Sequence, residues 1–147
     1  MSEKFTYLLR VRYAECDAQR VVFNAKYVEY IDIAITEYFR NIWGDYSNLL
    51  NKGLDTQVVN VNVKWKASAT FDMVVAIEIE LKKIGTTSFT YTVHFIDHQS
   101  QQLLAIGEIT YVMVSADQHH KTPIPPAVRE LIENGATGLV DHAGVTN

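Results

Sequence analysis

Asp17 stands in Cys16-Asp17-Ala18-Gln19, seven residues ahead of Asn24, where the spacing of apolar side chains turns helical. A helix N-terminus presents unpaired N–H groups and a partial positive charge, so it can polarise a carbonyl and steady an oxyanion. A carboxylate held beside such a tip can attack that carbonyl or activate a water. The same tetrapeptide also suits an ordinary turn, with the aspartate bonding its own backbone, and spacing alone leaves both readings standing. The other chemical side chains carry less. Cys16 is the sole cysteine, which excludes an intramolecular disulfide; no histidine lies near it in sequence, so it reads as an inert thiol. Glu29 and Glu37 read as salt-bridged or solvent-edge carboxylates on the helix, and Asp72 as a turn residue. His94, His98, His119, His120 and His142 lack zinc-ligand spacing, so no metal is expected.

The elements that would hold Asp17 are legible from periodicity. Residues 5–13 alternate, with Phe5, Tyr7, Leu9, Val11 and Tyr13 on one face, which predicts a half-buried strand. Residues 15–22 break that pattern and read as a loop. Residues 24–43 carry Tyr27, Ile31, Ala34, Tyr38 and Ile42 at helical spacing, widened by Tyr30, Ile35 and Phe39. Asn24 is the expected N-cap and Gly44 the stop. Val28 and Ile33 add apolar surface off the stripe, so the helix is expected to be largely wrapped.

Four strands follow, at about residues 59–65, 75–81, 88–95 and 103–114, and their short links force antiparallel neighbours. Residues 126–134 read as a short helix closed by Gly135. Residues 136–147, small and polar, are expected to be a poorly ordered tail. The class is α+β: an antiparallel sheet curled around one apolar helix. Several strands are apolar on both faces, so a second copy is expected over an edge strand or part of the outer face.

Composition narrows the function. With 48% hydrophobic and 20% charged residues in a chain of 147, one ordinary soluble domain is expected. A net charge of −4 argues against nucleic acid as a partner, since phosphate backbones need a concentrated basic face. No apolar run is long enough to cross a bilayer. Met1-Ser2-Glu3-Lys4 leads into the first strand without a signal-peptide stretch, which predicts a cytoplasmic address.

The run Val11-Arg12-Tyr13-Ala14-Glu15-Cys16-Asp17-Ala18-Gln19-Arg20-Val21-Val22-Phe23-Asn24, continuing to Tyr30, resembles the signature of hotdog-fold acyl-CoA thioesterases of the 4-hydroxybenzoyl-CoA thioesterase type. Weaker similarity appears at Val63-Lys64-Trp65, Ala69-Thr70-Phe71-Asp72, Ile84-Gly85-Thr86-Thr87-Ser88 and Lys121-Thr122-Pro123-Ile124-Pro125. The resemblance implies a five-stranded antiparallel sheet wrapped around one long central helix, with a short C-terminal helix and a site at a dimer interface. It implies a single domain over residues 1–135, assembled as a homodimer or a dimer of dimers. Asp17 matches the catalytic aspartate, as nucleophile or as base for water, and the Asn24 N–H matches the group that polarises the thioester carbonyl. No cofactor is needed, because a thioester is already activated.

An acyl-CoA substrate would draw on Tyr27 for packing and on Lys66, with Lys64, Lys82 and Lys83, for a basic rim. Thr86, Thr87 and Ser88 would supply hydrogen bonds to the pantetheine arm. The chain departs from the family at Arg20, where a glycine is usual, and this is expected to reshape the loop. Phe23 and Asn24 also depart, which bears on acyl specificity. Alternatives are hydrolysis on an acyl carrier protein and a catalytically weak acyl-CoA-binding member. A hotdog dehydratase would need a histidine near the helix, and none lies between Asp17 and Trp43. A cystatin-like protease inhibitor shares the element order, but Gln57-Val58-Val59-Asn60-Val61 lacks the glycine of its binding hairpin.

Overall fold

The computed structural model describes residues 4–146; the N-terminal reading at residues 1–3 and the last residue of the tail lie outside the described residues. Strand β1 (Phe5–Arg10) leads through a 3-10 turn (Tyr13–Glu15) into helix α1 (Lys26–Trp43) and the short α2 (Ser47–Leu50). Strands β2 (Leu54–Trp65), β3 (Val74–Ile84), β4 (Ser88–Asp97) and β5 (Leu103–Ser115) follow, then α3 (Pro126–Asn134) and β6 (Leu139–Asp141). They form one sheet in the order β2-β5-β4-β3-β1-β6, antiparallel throughout except for the β1–β6 pair.

The alternation of β4 builds the core. Phe89, Tyr91, Val93 and Phe95 are fully buried against α1, whose inward stripe runs from Tyr27 through Ile31, Ala34, Ile35 and Tyr38 to Ile42. Aromatic edges lock the two layers: Tyr27 lies 5.2 Å from Phe95 and Tyr38 lies 5.0 Å from Tyr91, ring centre to ring centre. The Ile31 side chain of α1 packs over Gly107 on β5, where an added Cβ would sit 3.2 Å from both Ile31 Cδ1 and the Asn62 carbonyl oxygen. Glycine is the residue that permits this approach.

Four expectations are corrected. β1 stops at Arg10 rather than residue 13, because the Glu15 side chain draws the chain into the 3-10 turn; Tyr13 is left 81% exposed. Helix α1 begins at Lys26, two residues after Asn24, and no side chain caps it. The sheet covers α1 on one side only, so Val28 and Ile33 remain exposed. β2 starts at Leu54, and a bulge between Val58 and Asn60 switches its inward residues from even to odd positions, which brings Val61 and Val63 onto the core.

The sheet also has a sixth strand, inside the segment expected to be a tail. Its small polar residues show no alternation, and backbone pairing holds them. β6 lies parallel to β1, and Ala143 packs on Leu8 and Ala76. Asp141 accepts hydrogen bonds from the N–H groups of Ala143, Gly144, Val145 and Thr146. Part of the outer sheet face is therefore covered by the chain itself, while the β2 edge is not.

Candidate active site

Asp17 sits in a doubly tied loop. Its N–H donates to the Val21 carbonyl at 2.9 Å, and the Arg20 N–H donates back to the Asp17 carbonyl at 2.9 Å. The loop is stitched onward by the Val22 N–H to the Ala69 carbonyl and by a bridge between Val21 and Thr70. Arg20 closes the turn at φ +67°. Arg20 takes up a left-handed conformation that glycine would adopt freely, at a cost of about 1 kcal/mol. Asp17 Oδ1 accepts the Gln19 N–H at 2.8 Å, the Asx turn foreseen from sequence. Among the described residues Oδ2 receives no donor. The turn reading and the reactive reading are therefore compatible: one oxygen orients the carboxylate and the other stays free.

A cleft of about 410 Å³ opens beside this carboxylate, between the start of α1 and the end of β2. Asp17, Asn24, Tyr27 and Lys66 all line it, together with Trp65 and Ser68. The first turns of α1 use the N–H groups of Lys26, Tyr27 and Val28, which donate to the carbonyls of Phe23, Asn24 and Ala25. The N–H groups of Asn24 and Ala25 donate to no acceptor among the described residues. Two orphan donors at a helix tip thus share the region of a free carboxylate oxygen, as an acyl-transfer site requires. Tyr27 is buried and meets Trp65 edge-on at 5.8 Å, forming an aromatic wall.

Not every expected residue joins this cleft. Thr86, Thr87 and Ser88 form the hairpin between β3 and β4, at the opposite end of β4 from Phe95, which packs on Tyr27. Seven residue steps along the strand separate Ser88 from Phe95, roughly 23 Å. The Thr86 and Thr87 carbonyls instead accept the N–H groups of Ile124 and Met113. Lys82 pairs with Glu108 at 2.8 Å. Glu29 and Glu37 pair with Lys26 and Arg40, and Asp72, at φ +69°, is a turn residue near Arg10.

The residue that sequence reasoning missed is Glu15. It is 6% exposed and binds two elements at once. Its Oε1 accepts the Arg12 N–H at 2.8 Å and the Tyr30 hydroxyl of α1 at 2.9 Å. Its Oε2 accepts the Arg12 guanidinium at 2.8 and 3.1 Å, and its carbonyl accepts the Phe23 N–H. Burial pushes the Glu15 carboxyl up, but the donors from Arg12 and Tyr30 outweigh that and hold it below the usual carboxylate range. Tyr30 is pushed far above the ordinary phenol value by burial and by Glu15, so it stays protonated and donates. The only sequence signal was an acidic residue three positions after Arg12.

The profile of the thioesterase-like superfamily matches residues 11–132, which include Asp17 and Asn24. The chain belongs to the thioesterase-like superfamily. Membership places it among thioester hydrolases with the hotdog fold, the arrangement of sheet and helix described above. This thioesterase is 26% identical over 124 residues to the acyl-CoA thioester hydrolase YbgC of Escherichia coli O6:H1 (strain CFT073), covering 84% of this chain and 92% of that protein. It superimposes on the gentisyl-coenzyme A thioesterase BH1999 with a TM-score of 0.74 and 25% identity, over 86% of this chain and 98% of the other. The 1,4-dihydroxy-2-naphthoyl-CoA thioesterase Slr0204 of Synechocystis shares the fold, with a TM-score of 0.78 and 19% identity, over 88% of this chain and 95% of the other. No helix among the described residues of this thioesterase is long and apolar enough to cross a membrane.

Proposed function

We propose that the chain hydrolyses an acyl-CoA to a free carboxylic acid and coenzyme A. The observation that carries this reading is that Asp17, with one carboxylate oxygen unbonded among the described residues, lines the same cleft as Asn24, whose N–H is unbonded and adjoins that of Ala25 at the helix start. The thioester carbonyl oxygen accepts from those N–H groups, which take up the negative charge that develops on it. Asp17 either attacks the carbonyl carbon, giving a mixed anhydride that water then cleaves, or removes a proton from the attacking water. In both routes the carbon–sulfur bond breaks and the thiolate leaves. Spectrophotometric thiol release over short, medium, long and aromatic acyl-CoAs tests this. Turnover of at least one class is expected, and no release from any of them sinks the proposal.

The site is proposed to be completed by a second copy. β2 is twelve residues long, pairs only with β5 among the described residues, and leaves Val58, Val59 and Trp65 about half exposed. A long unpaired edge of this kind is a template for another strand. Each chain carries the Asp17 cleft at the C-terminal end of β2. A groove of about 260 Å³, lined by Ile35, Phe39, Trp43, Val58 and Tyr111, lies toward its N-terminal end. Two-fold antiparallel pairing across β2 sets one chain's cleft toward its partner's apolar groove, which suits the acyl group. The same operation turns the partner's Thr86–Ser88 hairpin toward that end of the assembly. Light scattering is expected to give twice the chain mass; a monomer with full activity excludes the shared site.

A further inference from the structure

The apolar groove beside the start of β2 has a neighbour. A second cavity, of about 450 Å³, is lined by Leu49 and Lys52 from the α2 side and by Val128 and Leu131 of α3. Among the described residues Trp43 alone lines both spaces. It is the last residue of α1, and Gly44, at φ +74°, turns the chain away directly after it. The indole is 8% exposed and stacks on Phe39, with ring centres 4.5 Å apart and planes 25° apart. Its Nε1 is buried and donates to no acceptor among the described residues. An unpaired buried N–H is costly, so hydrogen bonding within the chain is not what this side chain supplies. What it supplies is bulk, between two cavities.

On the reading that a thioester held at Asp17 sends its acyl group into the partner's groove, we infer that Trp43 is the wall that closes this groove and limits the length of the acyl chain. The groove measures about 260 Å³. That is room for a single ring or a short chain, since a cavity of about 150 Å³ already takes up benzene. A longer chain can advance only into the space between α2 and α3, and the Trp43 ring stands in its way. Leu49, Val128 and Leu131 make that space apolar, so it would receive methylenes if the wall were removed. Chain length is thus set by one side chain at the end of α1, away from the reacting groups at its start.

Thiol release from butanoyl-, benzoyl- and dodecanoyl-CoA by the wild type, Trp43→Leu and Trp43→Phe tests this, with melting curves beside the kinetics. The wild type is expected to favour butanoyl- or benzoyl-CoA over dodecanoyl-CoA by at least about tenfold in kcat/KM, because a single misfitting methylene in an apolar pocket is already worth that much. Trp43→Leu joins the two cavities and is expected to raise the ratio of dodecanoyl to butanoyl turnover about tenfold. Trp43→Phe keeps a ring in place and loses only the unpaired N–H, so its ratio is expected to stay near that of the wild type. Lost stability lowers all three substrates together; a uniform fall in Trp43→Leu assigns the residue to packing alone and overturns the inference. A wild type that hydrolyses dodecanoyl-CoA as well as the shorter substrates overturns it too, whether or not the variants fold. Failure of the hydrolytic reading looks different: no thiol is released from any substrate, and the inference falls with it.

Discussion

Asp17→Asn is expected to lower kcat for the best acyl-CoA by about 10²- to 10⁴-fold, with KM little changed. The substitution is nearly isosteric. Asparagine Oδ1 can still accept the Gln19 N–H, the bond that Asp17 makes at 2.8 Å, so the turn survives. What disappears is the negative charge of the carboxylate that lines the cleft, which both attack on the carbonyl and deprotonation of water require. The helix-tip N–H groups of Asn24 and Ala25 remain, so on the proposed mechanism binding is expected to persist while chemistry stops. Steady-state thiol release beside a melting curve separates this from unfolding. A folded variant with wild-type kcat removes Asp17 from the mechanism.

Glu15→Ala is expected to cost about 3 kcal/mol of stability, because it orphans the Tyr30 hydroxyl and the Arg12 N–H together. In a chain of this length that lowers the melting temperature by roughly 10 °C. It also unties the Asp17 loop from α1, so kcat is expected to fall at temperatures where the variant is still folded. Glu15→Gln separates charge from geometry, since the amide oxygen can still accept from Tyr30. The pH dependence follows from the lowered carboxyl. A group that binds its proton more weakly when folded contributes stability above its unfolded value, near 4.3, and loses it as pH falls through the folded value. The gap in melting temperature between the wild type and Glu15→Gln should therefore be widest near neutrality and close in acid. A gap that does not change with pH contradicts the charged clamp.

Glu15 also marks where sequence reasoning stops. Its partners are Arg12, three residues before it, and Tyr30, fifteen residues after it on another element. Only the first falls within the range that local spacing reports. Tyr13 failed for a related reason: it has the right parity for an inward strand residue, but the buried Glu15 bends the chain before Tyr13 can turn inward. In β2 the bulge after Val58 reverses the parity, and the signal for a bulge lies in the partner strand as much as in β2 itself.

The sequence by itself determined the layers and the chemistry on offer. The period-two run from Phe89 to Phe95 and the helical stripe from Tyr27 to Ile42 are buried as their spacing requires, because burial of apolar area follows local periodicity. The family motif placed Asp17 and Asn24 beside the helix start. Only the tertiary structure decided which residues meet. It brought Lys66 to Asp17 and carried Thr86–Ser88 to the other end of β4. It bound residues 139–141 to β1 and left the β2 edge bare. These outcomes depend on contacts between residues distant along the chain. Such contacts are settled by strand register, by the turns between strands and by the pairing of buried polar groups, none of which leaves a period in the sequence.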